Sequence, residues 1–94
     1  MFTPALMVNF ISASANYTGL TSDYIIATTV SGVTITLPTA SGFTGKFLII
    51  KNVSVDHIYV VGASGQLIDI YSIITLESYE SITLYSNGIQ WWIT

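Results

Sequence analysis

The chain reads as an all-β protein, a small antiparallel sandwich or jelly-roll-like module, and three observations predict it. Short runs of β-branched and aromatic residues recur along it, separated by Gly, Ser, Asn and Asp clusters at the roughly 8–12-residue spacing typical of sandwiches and barrels. No window of about eleven residues carries a 3.6-residue apolar period, so no helix is expected. Two alternating runs near the C-terminal end flank Asn87-Gly88, the dipeptide favoured in two-residue type I′ hairpins because both residues tolerate positive φ.

Residues 1–15 read as an extended lead-in to a single β-domain over 16–94. The opening M-F-T-P-A-L-M-V-N-F-I-S-A-S-A ends like a secretory cleavage site, but it lacks a basic start and Asn9 interrupts its apolar run. Met1 is expected to begin a piece of something longer. Residues 16–20 form a short edge strand broken by Gly19. Residues 24–29 are rich in β-branched side chains and apolar on both faces. Ser31-Gly32 turns the chain, and 33–37 alternates with Val33, Ile35 and Leu37 inward. Pro38 ends that strand because it cannot donate to a ladder, and 39–45 is a loop.

Residues 46–52 are a second core strand, apolar on both faces, and 57–61 a third after the turn at 54–56. A turn at 62–65 leads to a weakly pairing piece at 66–70, and 73–76 precedes the terminal hairpin. A two-residue loop there pairs Leu84 with Trp91 and Ile82 with Ile93. Ile82, Leu84, Ile89, Trp91 and Ile93 then share the apolar face, with Tyr85 and Trp92 opposite.

Hydrophobic residues make up 51% of the 94 and charged ones 7%, against roughly 25% charged in typical soluble domains. One sheet-on-sheet core hides a single face of each strand, and no helix is available to cover the second face of 24–29, 46–52 and 57–61. The module is therefore expected to be an obligate oligomer, intertwined with or packed against identical neighbours. Membrane insertion is not expected. A spanning helix needs about 18 uninterrupted apolar residues, and a membrane barrel about eight strands of roughly ten. A net charge of −3, with two lysines and no arginine, argues against nucleic-acid binding. Without cysteine there is no disulfide, zinc–thiolate or thiol chemistry. The glycosylation sequons at 16–18 and 52–54 arise easily in a chain rich in Asn, Ser and Thr.

Few residues suggest catalysis. Asp69, Glu77 and Glu80 are the acids available for a glycosidase pair, which needs carboxyls about 5–5.5 Å or 6.5–9.5 Å apart. Solvated strand-end acids are the simpler reading, with Glu80 bonding a backbone donor or a lysine. His57, the only histidine, follows Asp56. Three copies on a three-fold axis could gather around a metal, but a surface or hydrogen-bonded histidine is the simpler assignment. The glycines at 42, 45, 62 and 65 do not lead from a strand into a helix, so no phosphate loop is present. No enzymatic activity, metal or cofactor is expected. The tyrosines and tryptophans remain, since aromatics stack on sugar rings and also dominate protein interfaces. Phe43, in the loop around 41–44, and Trp92, opposite Trp91, are the candidate ligand-binding residues.

The runs T-I-T-L-P (34–38), G-K-F-L-I-I-K-N (45–52) and Y-E-S-I-T-L-Y-S-N-G-I-Q-W-W-I (79–93) resemble the small trimeric β-modules at the tips of viral fibres. Such modules occur in bacteriophage tail and head fibres and in fibre-like surface proteins of large DNA viruses. The resemblance covers roughly 17–94, and the terminal Y-E-S-x-T-L-x-S-N-G-x-x-W is its most specific part. Ile70 stands where the resemblance expects the glycine of an Ile-Asp-Gly. The resemblance implies a homotrimer at the virion surface, with one of two roles. The first is a C-terminal fibre tip for host attachment, with a host-surface glycan or protein receptor as partner. The second is a structural module that holds three chains in register or caps a fibre. Exposed aromatics beside carboxylates or amides favour the first role, and aromatics buried between subunits the second.

Overall fold

Alternation of apolar and polar residues makes the chain extend in short segments that each bury one face. The computed structural model describes residues 7–94, and nine strands form within them: β1 (Phe10–Ala13), β2 (Tyr17–Thr18), β3 (Ile25–Thr28), β4 (Thr34–Thr36), β5 (Phe47–Asn52), β6 (Ile58–Val61), β7 (Ile73–Leu76), β8 (Ser81–Ser86) and β9 (Trp91–Ile93). A 3-10 turn at Ala63–Gly65 separates β6 from β7. Among the described residues no helix is long and apolar enough to cross a membrane.

The strands form a five-stranded sheet, β1-β3-β5-β8-β9, and a four-stranded sheet, β2-β4-β6-β7. From β1 to β6 each strand joins the opposite sheet to its predecessor, so the chain coils and like passes stack. β1, β3 and β5 are parallel, with Ile11 beside Ile26 and Ile26 beside Ile50. β2, β4 and β6 are likewise parallel, with Tyr17 beside Ile35 and Ile35 beside Val60. After β6 the chain reverses: β7 runs antiparallel to β6, β8 to β5 and β9 to β8.

The protein is thus all-β and two-sheeted, but its sheets are mixed, and it is neither an antiparallel sandwich nor a jelly roll. Parallel neighbours need a crossover of about a dozen residues or more. Here the crossover is itself a strand of the other sheet, so the strand spacing matches that of a string of hairpins.

The inner faces of both sheets meet in one core. Ile26, Leu48, Ile50, Leu84 and Trp91 from the larger sheet pack with Ile35, Ile58, Val60 and Leu76 from the smaller. Val33, Ile35 and Leu37 are all buried, matching the inward set read from 33–37. No buried side-chain nitrogen or oxygen among the described residues lacks a partner. Phe10–Ala13, in the segment expected to lead in to the domain, is the edge strand of the larger sheet, with Ala13 in the core. The first six residues of that segment lie outside the described ones.

The terminal hairpin forms with a different register. Leu84 pairs with Ile93, Tyr85 with Trp92 and Ser86 with Trp91, two residues away from the expected pairing. The loop is longer because the Asn87 side chain organises it: Oδ1 accepts from the N–H of Ile89 (2.9 Å) and of Gln90 (2.8 Å). Gly88 has φ +94°, whereas Asn87 is not in the left-handed region, so the turn is not type I′. Ile89 belongs to the loop and is 75% exposed rather than on the apolar face. A shift of two residues leaves every other side chain on its predicted face.

Candidate binding face

The outward face of the larger sheet carries a row of aromatic rings. Tyr24 just precedes β3, Phe47 opens β5, Tyr85 lies in β8 and Trp92 in β9. Phe47 is the register partner of Tyr85, and Tyr85 of Trp92, so all three project from the same side. Tyr24 and Phe47 meet edge to face with centroids 6.4 Å apart, and Tyr85 and Trp92 do so at 5.7 Å. Such contacts contribute on the order of 0.5–1.5 kcal/mol each beyond area burial, which holds the rings upright although Phe47 is 53% and Trp92 41% exposed. Lys46 Nζ lies 3.6 Å from the centroid of the Tyr24 ring and donates to the carbonyl of Asp23. Burial lowers the pKa of this ammonium, against the opposing charge of Asp23.

Each end of the row borders a shallow depression. One, of about 560 Å³, is lined by Tyr85 and Trp92 together with Leu67, Asp69, Ile70 and Gln90. The other, of about 430 Å³, lies beside Tyr24, Lys46 and Phe47, with Met7, Val8 and Asn9. Asp69 shapes the first. Ile68 and Tyr71 exchange backbone hydrogen bonds of 2.8 Å around the turn, and Asp69 takes the positive φ, at +54°. The resemblance places a glycine at 70, but the left-handed position is the preceding one, and Asp tolerates that conformation better than most residues. Asp69 Oδ1 accepts from the N–H of Ile93 (3.0 Å), and its carbonyl accepts from Gln90 Nε2 (2.8 Å). Among the described residues Asp69 Oδ2 and Gln90 Oε1 have no such partner, so both can accept from a ligand.

Of the two residues expected to bind ligand, Trp92 is in this row and Phe43 is not. Phe43 sits in the turn before β5, where its N–H donates to the carbonyl of Ala40 (3.2 Å) and its carbonyl accepts from Lys46 (3.0 Å). It lines neither depression. Tyr24, Phe47 and Tyr85 are functional candidates that the sequence reading did not select. The alternation already put Tyr85 outward beside Trp92, but placing Phe47 next to it requires knowing that β5 pairs with β8.

Two of the three acids weighed for catalysis accept from backbone N–H groups. Asp69 caps β9, while Glu80 Oε1 accepts from the N–H of Glu77 (2.8 Å), the backbone role expected of it. Glu77 lies instead with Asp56 and His57, the one group of side chains among the described residues placed to share a metal ion. Asp56 is held below the usual carboxylate range, first by the backbone N–H of His57 and then by its ring. No family model, curated protein or solved structure matches the chain.

Proposed function

We propose that the chain is a non-enzymatic tip module of a viral surface fibre that holds a host-surface glycan and works as a homotrimer on the virion. The observation that carries the binding role is the exposed Trp92 with the half-buried Tyr85 against it, beside Asp69 and Gln90. Aromatic faces cover the apolar C–H faces of a sugar ring, while a carboxylate and an amide at the rim accept from its hydroxyls. A neutral sugar suits the face better than an anionic one. Lys46 is engaged with Asp23 and Tyr24, Lys51 donates to the carbonyl of Tyr79, and the chain has no guanidinium to clamp an acid.

Single-site affinity for a shallow face is weak, about millimolar, and three copies on one tip raise it by avidity. The trimer is supported by the 7% charged composition and by the exposure of Phe10 and Phe47, at 62% and 53%. The virion location rests on the resemblance of the strand motifs and the terminal hairpin.

A structural trimerisation module is the second reading. The register Phe10–Ile25–Ile49 across β1, β3 and β5 favours it, because these apolar side chains lie side by side on the outward face. A glycan array probed with the purified protein separates the two. Hits abolished by Trp92→Ala and retained in Phe43→Ala support the binding tip; an array without hits leaves the structural module. Light scattering on a sizing column is expected to give three times the chain mass, and a folded monomer at micromolar concentration would overturn the trimer.

A further inference from the structure

Asn52, fully buried at the end of β5, ties together two turns that carry metal-ligating groups. Its Nδ2 donates to the carbonyls of Asp56 (2.7 Å), Leu76 (3.1 Å) and Glu77 (3.1 Å). Its Oδ1 accepts from the N–H of Ser54 (2.9 Å), and the N–H of Asp56 donates to the hydroxyl of Ser31 (3.0 Å). The backbone on both sides of the β5–β6 turn, and that at the exit of β7, is therefore pinned from beneath.

From this frame project Asp56, His57 and Glu77, whose ligating atoms all lie within 4.8 Å of one another. Two of the five acids and the only histidine are thus gathered from turns twenty residues apart. His57 Nδ1 is 3.0 Å from Asp56 Oδ1, about the spacing of two ligands that each stand roughly 2.0–2.2 Å from one ion. The other ring nitrogen, Nε2, is 2.9 Å from the Tyr59 hydroxyl. With Nε2–H donating to that oxygen, the Nδ1 lone pair faces the carboxylate, and a cation between them satisfies both. A hydrogen-bonded partner on the far nitrogen is the usual outer-shell support of a ligating histidine. No lysine pairs with the group: Lys46 and Lys51 donate to the carbonyls of Asp23 and Tyr79.

We propose that Asp56, His57 and Glu77 form a binding site for a divalent transition-metal ion of the Zn²⁺ class, with His57 Nδ1 and one oxygen from each carboxylate as ligands. One imidazole with two carboxylates selects Zn²⁺ or Ni²⁺ over Mg²⁺ and Ca²⁺, which prefer all-oxygen sites. Both acids are exposed, so the ion enters from solvent and water completes its coordination. Rotation of the Glu77 side chain closes the remaining gap. The bound ion cross-links the β5–β6 turn to the β7–β8 turn, parallel to the link that Asn52 makes beneath. The site is independent of the glycan reading.

Isothermal titration of chelator-treated protein with zinc chloride tests it. One Zn²⁺ per chain is expected, with Kd in the range of about 1–50 µM. At about a hundredfold excess over Kd the melting temperature rises by about 10 °C or more, and Mg²⁺ at the same concentration has no effect. Glu77→Gln, an exposed isosteric change, melts like the parent without metal and binds Zn²⁺ about tenfold more weakly or worse. His57→Ala abolishes saturable binding. No saturable heat with the parent protein, or an affinity unchanged in both variants, overturns the site.

Discussion

The indole Nε1–H of Trp91 donates to the carbonyl of Pro38 across 3.0 Å, joining β9 of the larger sheet to the segment just past β4 of the smaller. Both residues are buried, and the bond bridges the core between the two sheets. Trp91→Phe keeps an aromatic ring but leaves the Pro38 carbonyl without a donor and opens space beside it. The expected loss is about 2–4 kcal/mol, from the orphaned acceptor and the cavity together. Urea unfolding monitored by circular dichroism measures it. Trp92→Phe, on the outward face, is expected to stay within about 0.5 kcal/mol of the parent.

Asn52 offers a second test of a buried polar residue. Asn52→Ala removes one amide that serves three carbonyls and the N–H of Ser54. A loss of about 2–4 kcal/mol is expected, since buried network members are costly to delete. Asn52→Asp should be worse, because it turns an acceptor toward those carbonyls. A melting temperature unchanged in Asn52→Ala would mean that the turns hold themselves.

Gly88 combines a left-handed backbone with a close neighbour. Its φ is +94°, and a Cβ there would stand 2.5 Å from Thr44 Oγ1. Gly88→Ala should cost about 1–3 kcal/mol. Thr44→Ala in the same chain removes the oxygen but not the φ penalty, so the double variant recovers part of the loss. A coupling of at least about 0.5 kcal/mol in the double-mutant cycle is the expected reading, and strict additivity would place the whole cost in the backbone.

Tyr17 makes stability depend on alkaline pH. Its hydroxyl donates to Asp23 Oδ2 at 2.7 Å. Burial first, then that hydrogen bond and the charge of Asp23, push the phenol from 10.0 up to about 12. The folded chain keeps a proton that the unfolded chain gives up from about pH 10. The contribution is therefore complete below about pH 10 and is lost as pH rises through about 12. Urea midpoints measured from about pH 8 to 12 should fall along this limb, and Tyr17→Phe should flatten it.

Much of the candidate face depends on pairings that no single segment reveals. Tyr85 and Trp92 are both legible as outward residues of the hairpin, and their contact follows from the β8–β9 register. Phe47 joins them because β5 lies beside β8, and Tyr24 because β3 lies beside β5. Phe43 is a comparable aromatic in a glycine-flanked loop, and only the path of that loop keeps it out of the row. Asp56 and Glu77 are brought together by Asn52, whose buried amide has no signature in a strand that otherwise reads as apolar with lysine ends.

By itself the sequence determines an all-β chain, the positions of its main strands and the side chains they turn inward, such as Val33, Ile35 and Leu37. These follow from a period of two, which each strand carries within its own few residues. The tertiary structure alone decides which sheet each strand enters, that β1, β3 and β5 run parallel, and that Leu84 faces Ile93. Alternation is blind to all three. It looks the same for a strand paired in either direction, and a slip of two residues returns every side chain to its own face. The choice among such pairings is made by how the loops close and how the two inner faces fill one core around Trp91, over distances in sequence that no local pattern spans.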